Sequence, residues 1–284
     1  MDDLLVRSNR RYGMQALLWG LHLGVVPFLF FPSWPAVWFM LGLLILTGLG
    51  VTVGYHRLLT HGSFQTKSWV AKVLTVCGLL SGEGPPIFWI AFHRRHHQFS
   101  DKPGDPHSPV QDSILFAQIG WLCAYDIKTF EKLFEHYAPE ESENAFFQWL
   151  DKSYGWWHAG VAISLIGIGA AIDGWYGAVS FFGYGFLLRL LIGLHVTWCV
   201  NSVTHRWGYR NYETKDNSRN NWLLALPTLG EAWHNNHHAQ PRAANHGWHR
   251  WWEFDASYCF IWLLAKIRLA SNVVRSQTKQ SLQE

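Results

Sequence analysis

Charge is scarce in this chain. Asp, Glu, Lys and Arg make up 15% of its 284 residues, where soluble domains carry roughly 25%. Paired cysteines are missing as well: Cys77, Cys123, Cys199 and Cys259 lie far apart with no Cys-x-x-Cys spacing. They read as apolar fillers, not as a disulfide or zinc framework. A net charge of +3, without a basic stripe or an RNA-binding motif, argues against a nucleic-acid partner. No internal repeat or low-complexity segment stands out, and the polar tail Ser271–Glu284 reads as a frayed end. The charged start (Asp2, Asp3, Arg7, Arg10, Arg11) precedes an apolar run that lacks a clear cleavage site. That run therefore reads as a retained span and not as a signal peptide.

What is present is apolar and aromatic. Hydrophobic residues reach 49%, with 18 Trp and 18 Phe, and amphipathic rings gather where membrane meets water. A membrane helix needs about 20 mostly apolar residues to cross roughly 30 Å of hydrocarbon. Four stretches qualify, at about 14–31, 36–54, 156–176 and 184–204, forming two hairpins. A fifth apolar stretch, Trp69 to Phe92, contains Lys72, Glu83 and the breaker Gly82-Glu83-Gly84-Pro85-Pro86. It reads as a monotopic or re-entrant segment. Parity agrees, since a crossing there would put the histidines before and after it on opposite sides. The expectation is one all-α integral-membrane domain over 1–284, with four transmembrane helices. A helical cap over about 55–155 and 205–270 would hold the functional groups. Lys and Arg collect on the side of that cap and of the N-terminal arginines, so the cap and both termini are expected to be cytoplasmic.

Sixteen histidines need an explanation of their own. His93-Arg94-Arg95-His96-His97 puts three imidazoles on one helix face, because residues three and four apart are neighbours there. His234-Asn235-Asn236-His237-His238 repeats the spacing in a distant part of the chain. His56 and His61 are five apart, about 140° round an α-helix, and need a helix end or bend to converge; Gly62 permits one. Asn201 and His205, four apart at the end of the fourth span, aim at the same site. His22, His136, His158, His246 and His249 read as ordinary surface or core residues. Clusters of this density on one face would repel if protonated, whereas neutral imidazole is the commonest metal ligand. A single zinc takes four ligands and a catalytic one usually three, so eight or nine nitrogens call for two ions. Ligand type alone admits zinc, copper or iron. Zinc cannot activate oxygen, so iron is inferred from the chemistry that a greasy substrate demands. Haem is the competing reading, but these histidines cluster beyond the spans and do not face each other within a bundle.

The segments Gly54-Tyr55-His56-Arg57-Leu58-Leu59-Thr60-His61, Phe92-His93-Arg94-Arg95-His96-His97 and Asp105-Pro106-His107 resemble those of the membrane fatty-acid desaturases, most closely the Δ9 acyl-CoA and acyl-lipid branch. So do Asn201-Ser202-Val203-Thr204-His205 and Gly230-Glu231-Ala232-Trp233-His234-Asn235-Asn236-His237-His238. The resemblance runs from about residue 15 to 270. It implies four membrane helices beneath a cytosolic cap and a di-iron (Fe2+) centre. Its ligands would be His56, His61, His93, His96, His97, His205, His234, His237 and His238, with Asn201 acting through water. It further implies O2-dependent removal of two hydrogens from adjacent methylenes, giving a cis double bond, with Δ9 the expected position. A bent apolar tunnel would hold the chain still, and Trp89, Phe92, Trp198 and Trp233 are candidate walls. Asp105, His107 and Glu231 are candidates for orienting ligand imidazoles by hydrogen bonds.

The chain departs from that pattern in places. The segment Ile114–Leu122 lacks the family's aromatic run ending in Ser-His, and Cys123-Ala124-Tyr125-Asp126 lacks the basic pair of acyl-CoA forms. An acyl-lipid, acyl-CoA or acyl-carrier-protein substrate therefore stays open. No His-Pro-Gly-Gly haem motif occurs, so electrons are expected from a separate ferredoxin or cytochrome b5. A related di-iron hydroxylase, acetylenase or terminal desaturase is the alternative within the same chemistry, and a haem-binding membrane protein the alternative outside it.

Overall fold

A computed structural model describes residues 4–8 and 11–277. The chain is mostly helical, and among the described residues three helices are long and apolar enough to cross a membrane: Tyr12–Phe30, Trp34–Thr60 and Ala145–Ser202. The first combines α1 (Tyr12–Val25) with a 3-10 turn, Val26–Phe30. The second combines α2 (Trp34–Leu49), started by Pro35 in its first turn, with a π-helical continuation, Gly50–Thr60. Next come a two-residue strand β1 (Gln65–Thr66), the short helix α3 (Ser68–Leu79) and α4 (Pro86–Phe99). At 12 residues α3 is too short to span, and Gly82 and Gly84 adopt positive φ in the turn after it. Small helices α5 (Ile114–Gln118), α6 (Phe130–Tyr137) and α7 (Pro139–Glu143) cover α4.

The long helical stretch from Ala145 is two helices, not one. Asp173 and Gly174 leave helical geometry, Gly174 at φ 54°, where glycine bears no steric penalty. The chain reverses there. A Cβ on Gly169 would come within 2.2 Å of the Gly177 carbonyl oxygen, so the two arms touch backbone to backbone. One arm is the part of α8 (Ala145–Ser180) before that turn; the other is the rest of α8, a π-helical stretch, Phe181–Leu188, and α9 (Arg189–Ser202). The first arm starts well before the hydropathy-based start near 156. Asn144 caps it by accepting from the Phe146 N–H, and Leu150 packs on Tyr55 and Leu79, so Asp151 and Lys152 do not end it. The outer faces of these helices are apolar, with Phe30 78%, Trp38 66% and Trp175 70% exposed. Such surface suits hydrocarbon, not water.

The remainder closes over one end of the helices: α10 (Trp222–Ala225), α11 (His234–Ala239), α12 (Ala256–Lys266) and β2 (Ala270–Ser271). Strand β2 pairs antiparallel with β1. The Val274 N–H then donates to the Ser63 carbonyl and the Ala244 N–H to the Val274 carbonyl. The tail up to Gln277 is thus tied down and not frayed, because it supplies ladder partners that the 61–66 turn otherwise lacks. The tail beyond Gln277 lies outside the described residues.

Helix α2 and its π continuation pack on α3 with no side chain between. A Cβ on Gly50 would sit 2.1 Å from the Gly78 nitrogen, whereas one on Gly42 would meet nothing within 4 Å. Gly50→Ala should therefore cost about 1–3 kcal/mol or more by overpacking. Gly42→Ala should be neutral or stabilising, as expected inside a helix. Melting of the two variants in detergent separates these outcomes.

Candidate metal centre

The spacing of His56 and His61 is resolved by the π-helix. The His61 N–H donates to the His56 carbonyl, an i→i+5 bond, so residues five apart are neighbours and the two rings lie 4.8 Å apart. Helix α4 presents His93, His96 and His97. Helix α11 presents His234, His237 and His238, and the turn after α9 presents His205. The nine imidazoles divide into two groups. His56, His61, His93, His97 and His237 form one; His96, His205, His234 and His238 form the other. Within each, the ligand-capable atoms lie within 4.8 Å of one another. Nε2 atoms face each other directly: His56 to His237 at 3.1 Å, His61 to His93 at 3.2 Å, His97 to His237 at 2.9 Å and His205 to His234 at 2.9 Å.

Four carboxylates grip these rings from behind. Glu231 accepts from His56 Nδ1 at 2.6 Å and Asp105 from His96 Nδ1 at 3.0 Å. Asp101 accepts from His205 Nδ1 and Asp216 from His238 Nδ1, both at 2.8 Å. Each contact fixes a proton on Nδ1 and leaves the Nε2 lone pair pointing inward. Asp101 holds its place at φ 58°, with further donors from Ser108 Oγ and the Asn217 N–H. Burial alone would raise the Asp101 carboxyl, but the hydrogen bond and charge of His205 together with the Ser108 and Asn217 hydrogen bonds outweigh it and hold it at about 2. Burial, and then neighbouring imidazoles, push His93, His97, His234 and His237 well below the usual histidine range. Those four rings are neutral, whereas His96, lowered by burial but pulled up more strongly by Asp105 and its other carboxylate neighbours, is raised; more lone pairs converge than hydrogen bonds among the rings satisfy. The Nδ1 atoms of His234 and His237 and Nε2 of His238 are buried without a partner. This donor set fits two cations of intermediate softness.

Beside the histidines lies a cavity of about 390 Å³. Leu41, Leu44, Ile45, Gly48 and Val51 of the second long helix wall one side, and Ile192, Gly193, Val196 and Val200 of α9 the other. The loop Leu226–Leu229 crosses it, and His56, His93, His96, His234 and Asn201 close one end. Trp89 also lines it, donating from Nε1 to Glu83 at 3.0 Å. Phe92 and Trp198 do not: they are buried in the core beside Trp121. Trp233 packs under α10 and donates to the Phe254 carbonyl.

The structure thus brings all nine predicted histidines and Asn201 to one place, with Asp105 and Glu231 bonded to His96 and His56. His107 sits differently. Its ring stacks on His96 at 4.5 Å, its Nδ1 lacks a partner, and its backbone N–H donates to Asp105. Asp101 and Asp216 were not singled out from sequence, because they approach from distant segments with no local spacing to reveal them. His246, taken as an ordinary residue, is buried 4.5 Å from the His237 ring, with Nδ1 3.3 Å from Glu231.

Comparison with known proteins follows the same lines. A family model described as "Fatty acid desaturase" matches residues 32–259. The chain belongs to the fatty acid desaturase family. It is similar to an sn-1 stearoyl-lipid 9-desaturase of Anabaena variabilis, 39% identical over 270 residues and covering 92% of this chain and 93% of that one. An sn-2 palmitoyl-lipid 9-desaturase of Nostoc sp. (strain 36) is 37% identical over 86% of this chain and 84% of its own. An acyl-CoA 5-desaturase of Anemone leveillei is 35% identical over 90% and 77%. The desaturase is therefore an oxidoreductase that acts on fatty acyl chains, and its long apolar helices make it a membrane protein.

The neutral cluster has a consequence for stability. His238 and His246 protonate near pH 6.5 when unfolded. Burial chiefly lowers both to about 4 in the folded desaturase, against the pull of Asp216 and Glu231 respectively. Between those values the unfolded chain binds more protons. Their contribution is complete above about pH 6.5 and is lost as the pH falls toward 4. Glu83, raised to about 7 by burial, and His96, lowered by burial but raised overall by its carboxylate neighbours, work the other way but are outnumbered by the lowered histidines. The metal-free protein should melt at progressively lower temperature between pH 7 and pH 4.5; a constant or rising melting temperature there would contradict a neutral cluster.

Proposed function

We propose that the two histidine groups hold two iron ions, His56, His61, His93, His97 and His237 at one and His96, His205, His234 and His238 at the other. Asn201 reaches the second through water. The reaction is insertion of a cis double bond, at Δ9, into a saturated chain esterified to a membrane lipid. What carries this reading is the apolar cavity that runs directly into converging, carboxylate-held imidazoles. When bound, the irons supply the activation of dioxygen. O2 would take two electrons from an external donor of the ferredoxin or cytochrome b5 kind, two protons from solvent and two hydrogens from adjacent methylenes, leaving as two waters.

The protein's own residues do the positioning. The cavity walls exclude water and fix one stretch of chain against the cluster, and near-attack placement of this kind sets which carbons react. Glu231, Asp105, Asp101 and Asp216 keep the imidazoles in one tautomer and orientation. The lipid carrier is supported by the absence of a basic pair in Cys123–Asp126 and by the printed activities of the two relatives from Anabaena and Nostoc. Four membrane spans follow from reading the Asp173–Gly174 reversal as a hairpin turn at the far face of the bilayer. The chain forms one domain, with the histidine-bearing cap and both termini on the cytoplasmic side.

Expression in a host lacking unsaturated chains, followed by lipid analysis, tests the activity. A new product two mass units lighter is expected, and no double bond on any carrier would overturn the reading. His96→Ala and His237→Ala should each abolish turnover while leaving membrane insertion intact; activity in either refutes the ligand assignment. Asp101→Asn should weaken metal retention about 10–100-fold, read as iron per chain after dialysis against a chelator.

A further inference from the structure

The walls of the cavity are not alike. Where α2 and its π continuation meet α3, the contact is backbone on backbone. A Cβ on Gly50 would fall 2.1 Å from the Gly78 nitrogen, and one on Gly54 2.9 Å from the Leu74 carbonyl oxygen. Where α2 meets α9 and the Leu226–Leu229 loop, the glycines on either side meet only side-chain ends. A Cβ on Gly193 would find the Leu44 Cδ2 at 3.6 Å, and one on Gly48 the Leu229 Cδ1 at 3.0 Å. Ile45 of this seam lines the cavity and is yet 54% exposed on the outer face of the helix. The wall there is one side chain thick. Leu229 sits at φ 55°, a left-handed conformation that L residues with bulky side chains rarely adopt. Such strain persists only where surrounding structure imposes it, and it clusters at clamps and switches.

We propose that the seam between α2 and α9 is a lateral gate, closed by two leaves, Leu44 of α2 and Leu229 of the loop that crosses the cavity, through which a chain still esterified to a bilayer lipid enters sideways. The proposal rests on the reading of the protein as a lipid desaturase and specifies how its substrate arrives. The outer face of the seam is apolar, as the surface of a membrane helix is, so a lipid tail lies on the far side of the leaves at the depth of the cavity. An ester-anchored chain cannot easily be withdrawn from the bilayer and threaded methyl end first. A slot along the helices removes that need, since the middle of the chain moves sideways while its headgroup stays at the interface. Opening requires rotamer changes of two leucines, which are fast, and no disruption of the backbone contacts that hold the second long helix to α3.

The test is a tether across the seam. Leu44→Cys and Gly193→Cys are combined in a full-length chain whose four native cysteines, all free, are replaced by serine. The protein is reconstituted with its reductant in vesicles of distearoyl phosphatidylglycerol and phosphatidylcholine. Each sample is compared with itself, reduced and then bridged with a short bis-methanethiosulfonate, which joins the two cysteines through disulfides that dithiothreitol cleaves. Bridging should lower desaturation of the vesicle lipid about tenfold or more, as closing a gate does, and dithiothreitol should restore it. Equal rates in the two states overturn the gate. A second measurement needs no turnover: a phosphatidylglycerol with a mid-chain diazirine should label Val51 and Val196 in the reduced protein and not in the bridged one. Labelling that survives bridging overturns the proposal even if the variant is inactive. Absence of any double bond from the wild-type chain with every carrier would instead bring down the functional reading, which leaves the labelling result to judge the gate.

Discussion

Everything in the histidine-bearing half of this molecule answers to one constraint: nine imidazoles, most of them held uncharged by burial, must point ring nitrogens at one another. Buried side by side, they repel if charged and leave acceptors unmet if neutral. The arrangement holds because each group is surrounded by elements that leave the rings little choice. The π-helix aligns His56 with His61, α4 and α11 each present three rings from one face, and four carboxylates fix protons on the far nitrogens.

Those carboxylates need holding in turn, and the buried guanidinium of Arg57 holds one. It is fully enclosed, yet its donors all find acceptors. Nε and Nη2 go to Glu231 Oε1, and Nη1 goes to Asp255 and the Ala244 carbonyl. Glu231 then spends its other oxygen on His56 and His246. One cation between two carboxylates is a costly arrangement in a dry interior unless every hydrogen bond is made. Here they are made, and Asp255 also caps α12 through the Tyr258 N–H. Truncating Arg57 would therefore leave two buried carboxylates uncompensated and loosen His56 through Glu231, although Arg57 itself points away from the cluster.

How much of this was legible in the sequence depended on whether the signal was local. The H-x-x-H-H spacings of 93–97 and 234–238 stated a shared helix face directly, and the structure delivers it. Hydropathy located the apolar helices and excluded 69–92 as a span, but it misjudged where the third long helix starts. Asp151 and Lys152 looked like an end, while Leu150 and Phe146 pack the helix onto Tyr55 and Leu79. The His56/His61 pair was understood to need distortion; that the distortion is 11 residues of π-helix is set by packing against α3, which no local pattern encodes. Asp101 and Asp216 were invisible for the same reason. Each reaches its histidine across more than 20 residues of chain, and aspartates in turns are common. Nothing in the sequence signalled that Phe92 and Trp198 face the core while Trp89 faces the cavity.

The two halves of the molecule share their helices, and this sets a mechanical condition on any gate. The second long helix runs from the cavity wall at Leu44 to His56, and α9 runs from Gly193 to Asn201, with His205 just beyond. Movement at the seam would reach the metal-binding side chains unless something absorbed it. On the first helix the backbone contacts of Gly50 and Gly54 with α3 lie between Leu44 and His56, so the lower half can shift while the imidazole stays fixed. On α9 the corresponding brace is a chain of side-chain hydrogen bonds. Ser202 donates to Gln118, Gln118 contacts His195, and His195 contacts His22 of α1 at 2.9 Å. Backbone contact is stiffer than such a chain, because it has no rotamers to change. The α9 side of the seam is therefore the one expected to yield when a lipid tail enters, and the group containing His205 is the one whose geometry would register its passage.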